Sequence, residues 1–350
     1  MFIVATISKN SYSAEKVKEI ILAGATVLRY NFSHGSPEEM IERVKIAQTV
    51  INQLGLAGQV KILADLPGSK IRLGNFVKKE QPAKKDQEII FKSAIFSEDP
   101  LNFVPVDFTQ IGLLVSLGQV FTLGDGEIAF MVTQVLDQES FRAKALNDGL
   151  ILNLKGINIG AGIDQLDHLN EKTIAHIKNL PLIKPEWVAF SFVNSAEYLK
   201  KAKALLAAVN LPDWQPKIVS KIESPLAISN INEIIEETDI VMVARGDLGL
   251  TVPIENLGLM QKEIIKLSGL AGKPVIVATH VLGSLLNYYV PARAEVVDLT
   301  QIVLDGADGI MLTKETGISL TPGYSVFVAK KIIETVEKYQ RGNLNLQDIK

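Results

Sequence analysis

Short apolar segments that end in polar residues recur along this chain, and they limit the folds open to it. The segments are IVATI (3–7), TVLRYNF (26–32), KILADL (61–66), WVAFSFV (187–193), PKIVSKIE (216–223), DIVMVARGD (239–247), KPVIVATH (273–280) and GIMLTKE (309–315). Their near-continuous Val, Ile and Ala content is typical of strands buried on both faces. Helix-like segments separate them, such as residues 36–55, where Ser36, Pro37 and Glu39 form a start signal. Eight strands alternating with helices favour a (β/α)8 barrel, also called a TIM barrel, over an open sheet.

One long segment interrupts this alternation between the third and fourth strands. Residues 75–157 contain the β-like runs EIIFKS and IAFMVTQVL and the turn pair Asp125-Gly126. We interpret the segment as a small all-β domain inserted into a barrel loop. The glycines Gly74 and Gly156 near its two crossings predict hinges and a mobile lid.

These patterns give domain limits. The barrel is expected over 1–74 and 158–342, the inserted lid over 75–157, and a C-terminal tail over 343–350. The 350 residues are 47% hydrophobic, which is enough for one large core and a satellite domain.

Composition excludes several classes of protein. The formal net charge of −3, with both signs interspersed, argues against a nucleic-acid-binding protein. The chain has no cysteine, so it has no disulfides and no thiolate metal site. No signal peptide and no apolar run of about 18 residues is visible. We therefore expect a soluble cytoplasmic protein.

Polar residues gather where the predicted strands end, and in such barrels catalytic groups lie at the C-terminal strand ends. Glu223 and Asp247 are hard oxygen ligands on adjacent strands, suited to Mg²⁺. Lys221 and Arg29 are cations that could bind a phosphate or stabilise a phosphoryl group in transfer. Because side chains alternate along a strand, Arg245 is expected to point the same way as Asp247, as Lys221 does with Glu223.

Each such residue also has a structural interpretation. One strand-end carboxylate is often a helix cap or an ion-pair partner, and only the whole set of polar strand ends favours a functional site. For His168 and His176, in a helix-like region, surface roles are expected. The pair Tyr288-Tyr289 suggests an interface or packing rather than chemistry.

The same residues carry a resemblance to the pyruvate kinase family. The matching stretches are VLRYNFSHG (27–35), KIVSKIES (217–224), INEIIEETDIVMVARGDLGL (231–250), AGKPVIVATHVL (271–282), PARAEVVD (291–298) and VLDGADGIML (303–312). They occur in the family's order across nearly the whole chain. The resemblance implies a barrel with a β-rich lid, and transfer of the phosphoryl group of phosphoenolpyruvate to ADP, giving pyruvate and ATP.

The resemblance also implies roles at the reacting group. Arg29 and Lys221 would hold the phosphoryl group, and Lys221 would stabilise it in transfer. Glu223 and Asp247 would hold an essential Mg²⁺ or Mn²⁺.

Further roles concern the substrate carboxylate and the nucleotide. Backbone N–H groups of Gly246 and Asp247, with the Thr279 hydroxyl, would bind the carboxylate. Thr279 would also lie near the face where the enolate is protonated. The nucleotide contacts implied are Arg72, Lys155 and His34, and Asp125 would be the acid of the lid that closes over the site.

Several positions depart from the family pattern. Ser8-Lys9-Asn10-Ser11 replaces Gly-Pro-Ala-Ser near the nucleotide, Lys314 adds a cation at the barrel mouth, and His280 replaces a glutamine. The given sequence stops after the last barrel helix, so we expect a form without the family's C-terminal allosteric domain. We expect a homodimer through the barrel, since residues 279–298 carry the apolar side chains that pack barrel against barrel in the family.

The stretch DLPGSKIR (65–72) departs in a way that bears on monovalent cations. Most family members have Asp-Thr-Lys-Gly-Pro-Glu-Ile-Arg here and require K⁺, held by groups that match Asn31, Ser33, Asp65 and the carbonyl of residue 66. Lys70 stands at the glutamate position, so its ammonium could supply the positive charge of the ion. K⁺ is therefore expected not to be required.

Three functions stay open at this point. The first is Mg²⁺-dependent phosphoryl transfer from phosphoenolpyruvate to ADP. The second is a related barrel enzyme that keeps the enolpyruvate and metal site but uses another acceptor, which the changed 8–11 loop and Lys314 motivate. The third is a non-catalytic metabolite-binding protein, against which the presence of Lys221, Glu223, Asp247 and Thr279 together argues.

Overall fold

A computed structural model describes residues 1–33, 35–99, 101–209 and 211–344, except for the side chain of residue 161. In chain order the strands are β1 (Phe2–Ile7), β2 (Val27–Asn31), β3 (Lys61–Leu66), β4 (Asn75–Phe76), β5 (Glu80–Ala83), β6 (Glu88–Ser93), β7 (Phe96–Ser97), β8 (Val104–Val106), β9 (Val120–Leu123), β10 (Ile128–Asp137), β11 (Ser140–Ala145), β12 (Gly149–Leu152), β13 (Ile157–Asn158), β14 (Trp187–Phe190), β15 (Lys217–Ile222), β16 (Ile240–Ala244), β17 (Val275–Ala278) and β18 (Gly309–Leu312).

Helices follow most of the barrel strands. They are α1 (Ala14–Ala23), α2 (Pro37–Gln53), α3 (Glu171–Asn179), α4 (Ala196–Val209), α5 (Pro225–Ser229), α6 (Ile231–Glu237), α7 (Arg245–Thr251), α8 (Leu257–Leu270), α9 (Arg293–Leu304), α10 (Lys314–Gly317) and α11 (Pro322–Gln340). Short 3₁₀ turns occur at Ile111–Leu114, Gly160–Gln165, Leu180–Leu182, Ile254–Asn256 and Gly283–Leu286. None of the helices in these described ranges is both long and apolar enough to cross a membrane.

The predicted (β/α)8 barrel is confirmed. Strands β1, β2, β3, β14, β15, β16, β17 and β18 close into a barrel in which every neighbouring pair is parallel. Because all strands run the same way, their carboxyl ends meet at one mouth of the barrel. All eight apolar segments form strands, but six of these strands end earlier than predicted. Four of them, β14, β16, β17 and β18, end two or three residues early, so their polar residues lie in the loops and helix starts that follow.

Local sequence signals account for the helices that surround the barrel. The predicted start of α2 is confirmed as a capping box, in which the Ser36 side chain accepts from the Glu39 backbone N–H and the Glu39 carboxylate accepts from the Ser36 N–H. α1 ends at Gly24, whose φ of 120° few other residues adopt. The apolar faces of these helices pack on outward-pointing strand residues such as Ile3 and Tyr30.

The segment between β3 and β14 forms a separate β-rich unit with its own core. Its main sheet has the order β13-β9-β10-β11-β6-β8, and two small sheets pair β12 with β5 and β4 with β7. Four phenylalanines pack edge-to-face and stacked in its centre, with neighbouring ring centroids 5.2 to 5.5 Å apart: Phe91, Phe121, Phe130 and Phe141. This unit lies at the barrel mouth, where its turn at Asp125 reaches the barrel residue Lys314.

Candidate active site

Four charged side chains meet at the barrel mouth and are almost fully buried. Arg29, in the middle of β2, donates Nε and Nη2 to Asp65 Oδ2 at 2.8 and 2.7 Å. Lys221 Nζ, from β15, lies 3.2 Å from Asp65 Oδ1 and 3.1 Å from Glu223 Oε1. The expectation that Lys221 and Glu223 face the same way is confirmed. Two cations and two anions thus balance each other in one cluster, which we call the inner charge cluster.

Neutral groups fix the positions of the two cations. Lys221 Nζ donates to Ser191 Oγ at 2.8 Å, and the Ser191 hydroxyl donates to the Leu66 carbonyl at 2.8 Å. Arg29 Nη1 donates to Thr6 Oγ1 at 3.1 Å. Each link joins a residue at or just beyond one barrel strand to the next, so barrel closure itself sets the geometry of the cluster.

Burial and neighbouring charges act in opposite directions on the pKa values here. Burial alone would raise the pKa of Asp65, but the charges of Lys221 and Arg29 outweigh it and hold that pKa below its usual value. Burial raises the pKa of Glu223, Lys221 opposes that rise, and the nearby charge of Asp247 adds to it. Burial works to lower the pKa of Lys221, but Asp65 and Glu223 raise it above the usual lysine value. Lys221 is therefore a permanent cation at the barrel mouth.

A strained backbone position holds the second oxygen of Glu223. Phe192 has φ of +52°, which is uncommon for a residue with a side chain, and its N–H donates to Glu223 Oε2 at 2.8 Å. The loop after β14 is thereby aimed at the loop after β15, and Glu223 keeps one orientation.

Asp247 lies beside this cluster but not on a strand. β16 ends at Ala244 and α7 begins at Arg245, so the expectation that Arg245 and Asp247 share a strand face is wrong. A helix places residues two apart on different sides. Arg245 turns to Asp298, with Nη1 2.7 Å from Oδ2, whereas Asp247 Oδ1 accepts from Lys70 Nζ at 2.7 Å.

Glu223 and Asp247 fit a divalent cation. The described residues contain no group of three or more His, Cys, Asp or Glu side chains that could hold a metal. Mg²⁺ is commonly bound by one or two carboxylates, with waters and substrate oxygens completing its octahedron. Burial and the nearby charge of Asp247 raise the pKa of Glu223, and a cation bound between the two carboxylates would oppose that rise.

Thr279 occupies a strained turn that Arg245 supports. Thr279 and His280 have φ of +75° and +54°, although Thr279 is β-branched. The Arg245 guanidinium donates to the Thr279 carbonyl from Nε at 3.1 Å and from Nη2 at 2.7 Å, and to the His280 carbonyl at 3.2 Å. A fixed cation fork thus stabilises the backbone that points Thr279 at the barrel mouth.

These groups line two clefts at the mouth. One, of about 550 Å³, is lined by Arg29, Lys221, Glu223, Asp247 and Lys70, among others. The other, of about 1010 Å³, shares Arg29, Lys70 and Asp247 with it and extends past Gly246, Thr279 and Lys314 to apolar side chains including Leu250, Leu257 and Ile318. A charged end and an apolar end are the features expected of a site for a phosphorylated ligand with a flat organic part.

Comparisons with known proteins agree with this geometry. A family model described as pyruvate kinase, barrel domain, matches residues 1–326. The chain belongs to the pyruvate kinase family. A pyruvate kinase of Thermococcus litoralis is 36% identical over 338 residues, which cover 97% of this chain and 70% of the relative. A pyruvate kinase of Thermotoga maritima is 33% identical, with coverage of 96% and 71%.

Solved structures give the same result. A crystal structure of a pyruvate kinase from Cryptosporidium parvum superposes with a TM-score of 0.89 at 27% identity, covering 96% of this chain and 69% of that one. The predicted resemblance to the pyruvate kinase family is therefore confirmed.

The residues matched to the nucleotide and to the lid lie on the outer side of the site. In this member of the pyruvate kinase family, Asp125 Oδ2 lies 3.0 Å from Lys314 Nζ, which joins the inserted unit to the barrel. Lys155 Nζ lies 2.9 Å from Glu127 Oε1, and Arg72 Nη1 donates to the Leu154 carbonyl at 3.2 Å. His34 lies outside the described residues.

The residues matched to the family's K⁺ site are only partly brought together. Asn31 Oδ1 accepts from the Ser33 N–H at 3.0 Å, and Asp65 is held by Arg29 and Lys221. Lys70 lines the same cleft as Asn31 and Ser33, but its ammonium forms an ion pair with the Asp247 carboxylate. The positive charge of Lys70 is thus next to a carboxylate of the predicted metal pair.

Two expectations about histidines are wrong. His168 and His176 are 2% and 3% exposed rather than on the surface. Each lies in a polar-looking segment, and a single histidine creates no periodic pattern from which burial can be read. Sequence reasoning also gave no role to Phe192, because nothing in a strand-like run signals a residue with positive φ.

Proposed function

We propose that this chain transfers the phosphoryl group of phosphoenolpyruvate to ADP, giving pyruvate and ATP, in a reaction that depends on Mg²⁺ or Mn²⁺. One observation carries the proposal: Lys221 and Arg29 are buried beside carboxylates at the mouth of a pyruvate kinase-type barrel. Phosphoryl transfer needs positioning and charge neutralisation more than covalent help from the protein. This cluster supplies both without rearranging.

The chain's own residues divide the work at the reacting group. Arg29 and Lys221 bind the phosphoryl oxygens, and Lys221 neutralises the charge that spreads over them during transfer. Glu223 and Asp247 hold the divalent cation, which when bound supplies Lewis-acid stabilisation of the substrate oxygens. Backbone N–H groups of Gly246 and Asp247 bind the substrate carboxylate, and Thr279 lies where the enolate product receives its proton.

The nucleotide enters from the outer side. Arg72, Lys155 and His34 bind its phosphates, and Lys314 adds a cation at the same mouth. Asp125 belongs to the lid over 75–157, which closes on the barrel formed by 1–74 and 158–342 and excludes water that could intercept the phosphoryl group. The 3.0 Å contact between Asp125 and Lys314 supports this closure, since two exposed side chains form it between the inserted unit and the barrel.

Lys70 replaces a monovalent cation in this reaction. Its ammonium, 2.7 Å from Asp247 Oδ1, places a fixed positive charge at the edge of the metal and phosphoryl site. K⁺ is therefore not required for turnover.

The assembly is a homodimer formed through the barrel. Tyr288, Tyr289 and Val290 are at least 69% exposed, and the Tyr289 ring stacks on Tyr324 with centroids 4.7 Å apart. Contiguous exposed aromatic and aliphatic groups of this kind mark interaction surfaces. A monomer by light scattering at micromolar concentration would contradict the dimer. The proposed location is the cytoplasm.

One assay tests the central proposal against its alternatives. Pyruvate formation is followed in a coupled assay with phosphoenolpyruvate, Mg²⁺ and each of several nucleoside diphosphates, and turnover is expected with ADP. Phosphoenolpyruvate binding without turnover on any diphosphate would contradict the proposal and leave both the related barrel enzyme with another acceptor and the metabolite-binding protein.

A further inference from the structure

His168 lies between two loops of the active site, and the functions described above do not use it. It belongs to the segment that leads from the inserted unit into α3, and its side chain is buried. Its Nδ1 accepts from the backbone N–H of Ser69, in the loop after β3, at 3.2 Å. Its ring stacks on Phe192, in the loop after β14, with centroids 4.8 Å apart and planes 20° apart.

The partners of the two ring nitrogens fix one state of the imidazole. A backbone N–H can only donate, so Nδ1 must carry no proton where it meets Ser69. A carbonyl can only accept, so Nε2, 3.0 Å from the Ile163 carbonyl, must carry the proton. Only a neutral imidazole with its proton on Nε2 meets both demands.

The loop that His168 contacts ends at Lys70. Other contacts attach this loop to the same segment: Thr173 Oγ1 donates to the Pro67 carbonyl at 2.6 Å, and Asn170 Nδ2 donates to Ser69 Oγ at 2.8 Å. A Cβ on Gly68 would come within 2.8 Å of the Phe192 ring and 3.3 Å of His168 Nδ1. Glycine there lets the backbone reach the histidine, and Lys70 follows two residues later.

The other side of His168 supports Glu223. Phe192 keeps a positive φ while its N–H donates to Glu223 Oε2 at 2.8 Å. Such a conformation persists only when the surroundings over-determine it, and the stacked imidazole covers one face of the Phe192 ring. Movement of that ring would turn the N–H away from Glu223.

We infer that His168 is a positioning residue that sets Lys70 through Ser69 and Glu223 through Phe192, so that one side chain aligns both sides of the cation site. The inference deepens the proposed function and rests on the metal and Lys70 roles given there. Partners that orient metal ligands typically change metal affinity about 10- to 100-fold when removed.

Three substitutions separate the two links. His168→Ala removes both. His168→Phe keeps a ring against Phe192 but has no acceptor for the Ser69 N–H, whereas His168→Asn keeps an acceptor and loses the stack. His176→Phe is the matched control, because His176 is equally buried on α3 and contacts Phe32 rather than either loop.

Two readouts report the two links. Mn²⁺ binding, measured by electron paramagnetic resonance on the folded protein without substrates, reports the carboxylate pair. We expect about 10-fold weaker binding in His168→Ala and His168→Asn and less than about 3-fold change in His168→Phe. Turnover with and without KCl reports Lys70, and activation by KCl is expected in His168→Ala and His168→Phe only.

The outcomes distinguish a positioning role from a purely structural one. If Mn²⁺ affinity and the KCl response stay at wild-type values in folded His168 variants, the inference is wrong. The inference would also be wrong if Mn²⁺ affinity and the KCl response changed equally in His168→Phe, His168→Asn and His176→Phe and followed only the loss of unfolding free energy. Should the wild-type protein lack turnover, the Mn²⁺ measurement still decides the link to Glu223, so failure of the proposed function and failure of the inference give different results.

Discussion

The inner charge cluster and the contacts that join the lid to the barrel use the same kinds of side chain under opposite conditions. Arg29, Asp65, Lys221 and Glu223 are each at most 8% exposed, and their charges are matched by short contacts from several strands. The pair of Asp125 and Lys314 has side chains 64% and 56% exposed and a single contact. Coulomb interactions are weak and screened by salt at the exposed pair but persist in the buried cluster.

The difference indicates which parts of the site are set before any ligand binds. Removing one member of a buried charge network leaves an unpaired charge out of water, so the network has one stable arrangement. An exposed pair can open at little cost in free energy, which suits a unit that must admit and release a nucleotide. Lys70 lies between the extremes, since it and Asp247 are about one-third exposed.

The strongest test of this comparison removes the central cation. Lys221→Met should lower kcat by about 10³-fold or more with a smaller change in KM for phosphoenolpyruvate, because a contact to transferring charge is lost. It should also lower the free energy of unfolding by about 3 kcal/mol, since Asp65 and Glu223 lose their shared partner. Steady-state kinetics and urea unfolding measure the two effects.

A lysine on the same strand provides the control. Lys217 is exposed at the opposite end of β15, so Lys217→Met should leave kcat unchanged and unfolding within about 0.5 kcal/mol. Near-normal kcat in Lys221→Met would show that the lysine is only a structural cation.

Acid should weaken the inner region through His168. Burial lowers the pKa of His168 from 6.5 to about 4. Between these two pH values the imidazole is protonated in the unfolded chain but stays neutral in the folded protein. Stability is therefore lost as pH falls from 6.5 towards 4, by about 2 kcal/mol at pH 5 relative to pH 7. The charge of Asp167 and the contacts with Ile163 and Ser69 oppose the lowering but do not cancel it.

The measurement is a difference between two proteins. Urea unfolding of wild type and of His168→Phe is compared at pH 7 and pH 5, and only the wild type should show this added loss. The same pH dependence in both proteins would mean that His168 is not held neutral in the fold.

The fold could be predicted from sequence because it depends on patterns that many residues share. Eight buried strands produce eight apolar runs, and a change at one residue does not hide them. The contact of Lys221 with Glu223 was also readable, because Glu223 follows directly after β15 and keeps the alternation of that strand. The strand-face argument failed at Asp247, where α7 begins at Arg245 and helical geometry replaces alternation.

The parts that could not be predicted depend on single contacts between distant loops. The ion pair of Lys70 with Asp247 joins residues 177 positions apart, and the burial of His168 depends on Phe192 and Ser69 closing around it. Neither leaves a periodic signal. A positive φ at Phe192 or Thr279 is likewise imposed by the surrounding structure rather than by local propensity.

Substitution of Lys70 tests the partly exposed ion pair with Asp247, which lies between the buried cluster and the exposed lid contact in exposure. Lys70→Glu changes the local charge by two units beside Asp247, so turnover without K⁺ should fall about 10-fold or more and added KCl should restore part of it. Lys70→Met, which removes the charge without adding an acid, should show a smaller loss. Turnover is measured in buffer free of Na⁺ and K⁺ at constant ionic strength. Strong activation of the unaltered protein by KCl would show that Lys70 does not replace the ion.

The smallest effect is expected at the contact between the lid and the barrel. Lys314→Met removes the partner whose hydrogen bond lowers the pKa of Asp125, yet both side chains are mostly in water. The free energy of unfolding should therefore change by less than about 1 kcal/mol. Amide exchange of the lid crossings near Gly74 and Gly156 should rise, because the lid opens more often. Residues 71–74 hydrogen-bond within the inserted unit, since Gly74 donates its N–H to the Pro105 carbonyl and Leu73 donates its N–H to the Lys155 carbonyl, so the opening motion should be centred before residue 71.

Salt and a matched pair within the lid make this last prediction decisive. Raising the salt concentration to about 0.5 M shortens the screening length to roughly 4 Å, so it should increase exchange in the wild type and have little effect in Lys314→Met. Lys84 pairs with Asp148 at 3.0 Å, and both residues belong to the inserted unit. The Lys84 side chain is more exposed than that of Lys314, but this pair does not connect the inserted unit to the barrel. Lys84→Met should therefore leave exchange at the crossings unchanged. Equal increases in amide exchange in Lys314→Met and Lys84→Met would mean that the pair of Asp125 and Lys314 does not control opening. If the crossings stay protected from exchange in every variant and at every salt concentration, the inserted unit is as fixed as the inner charge cluster.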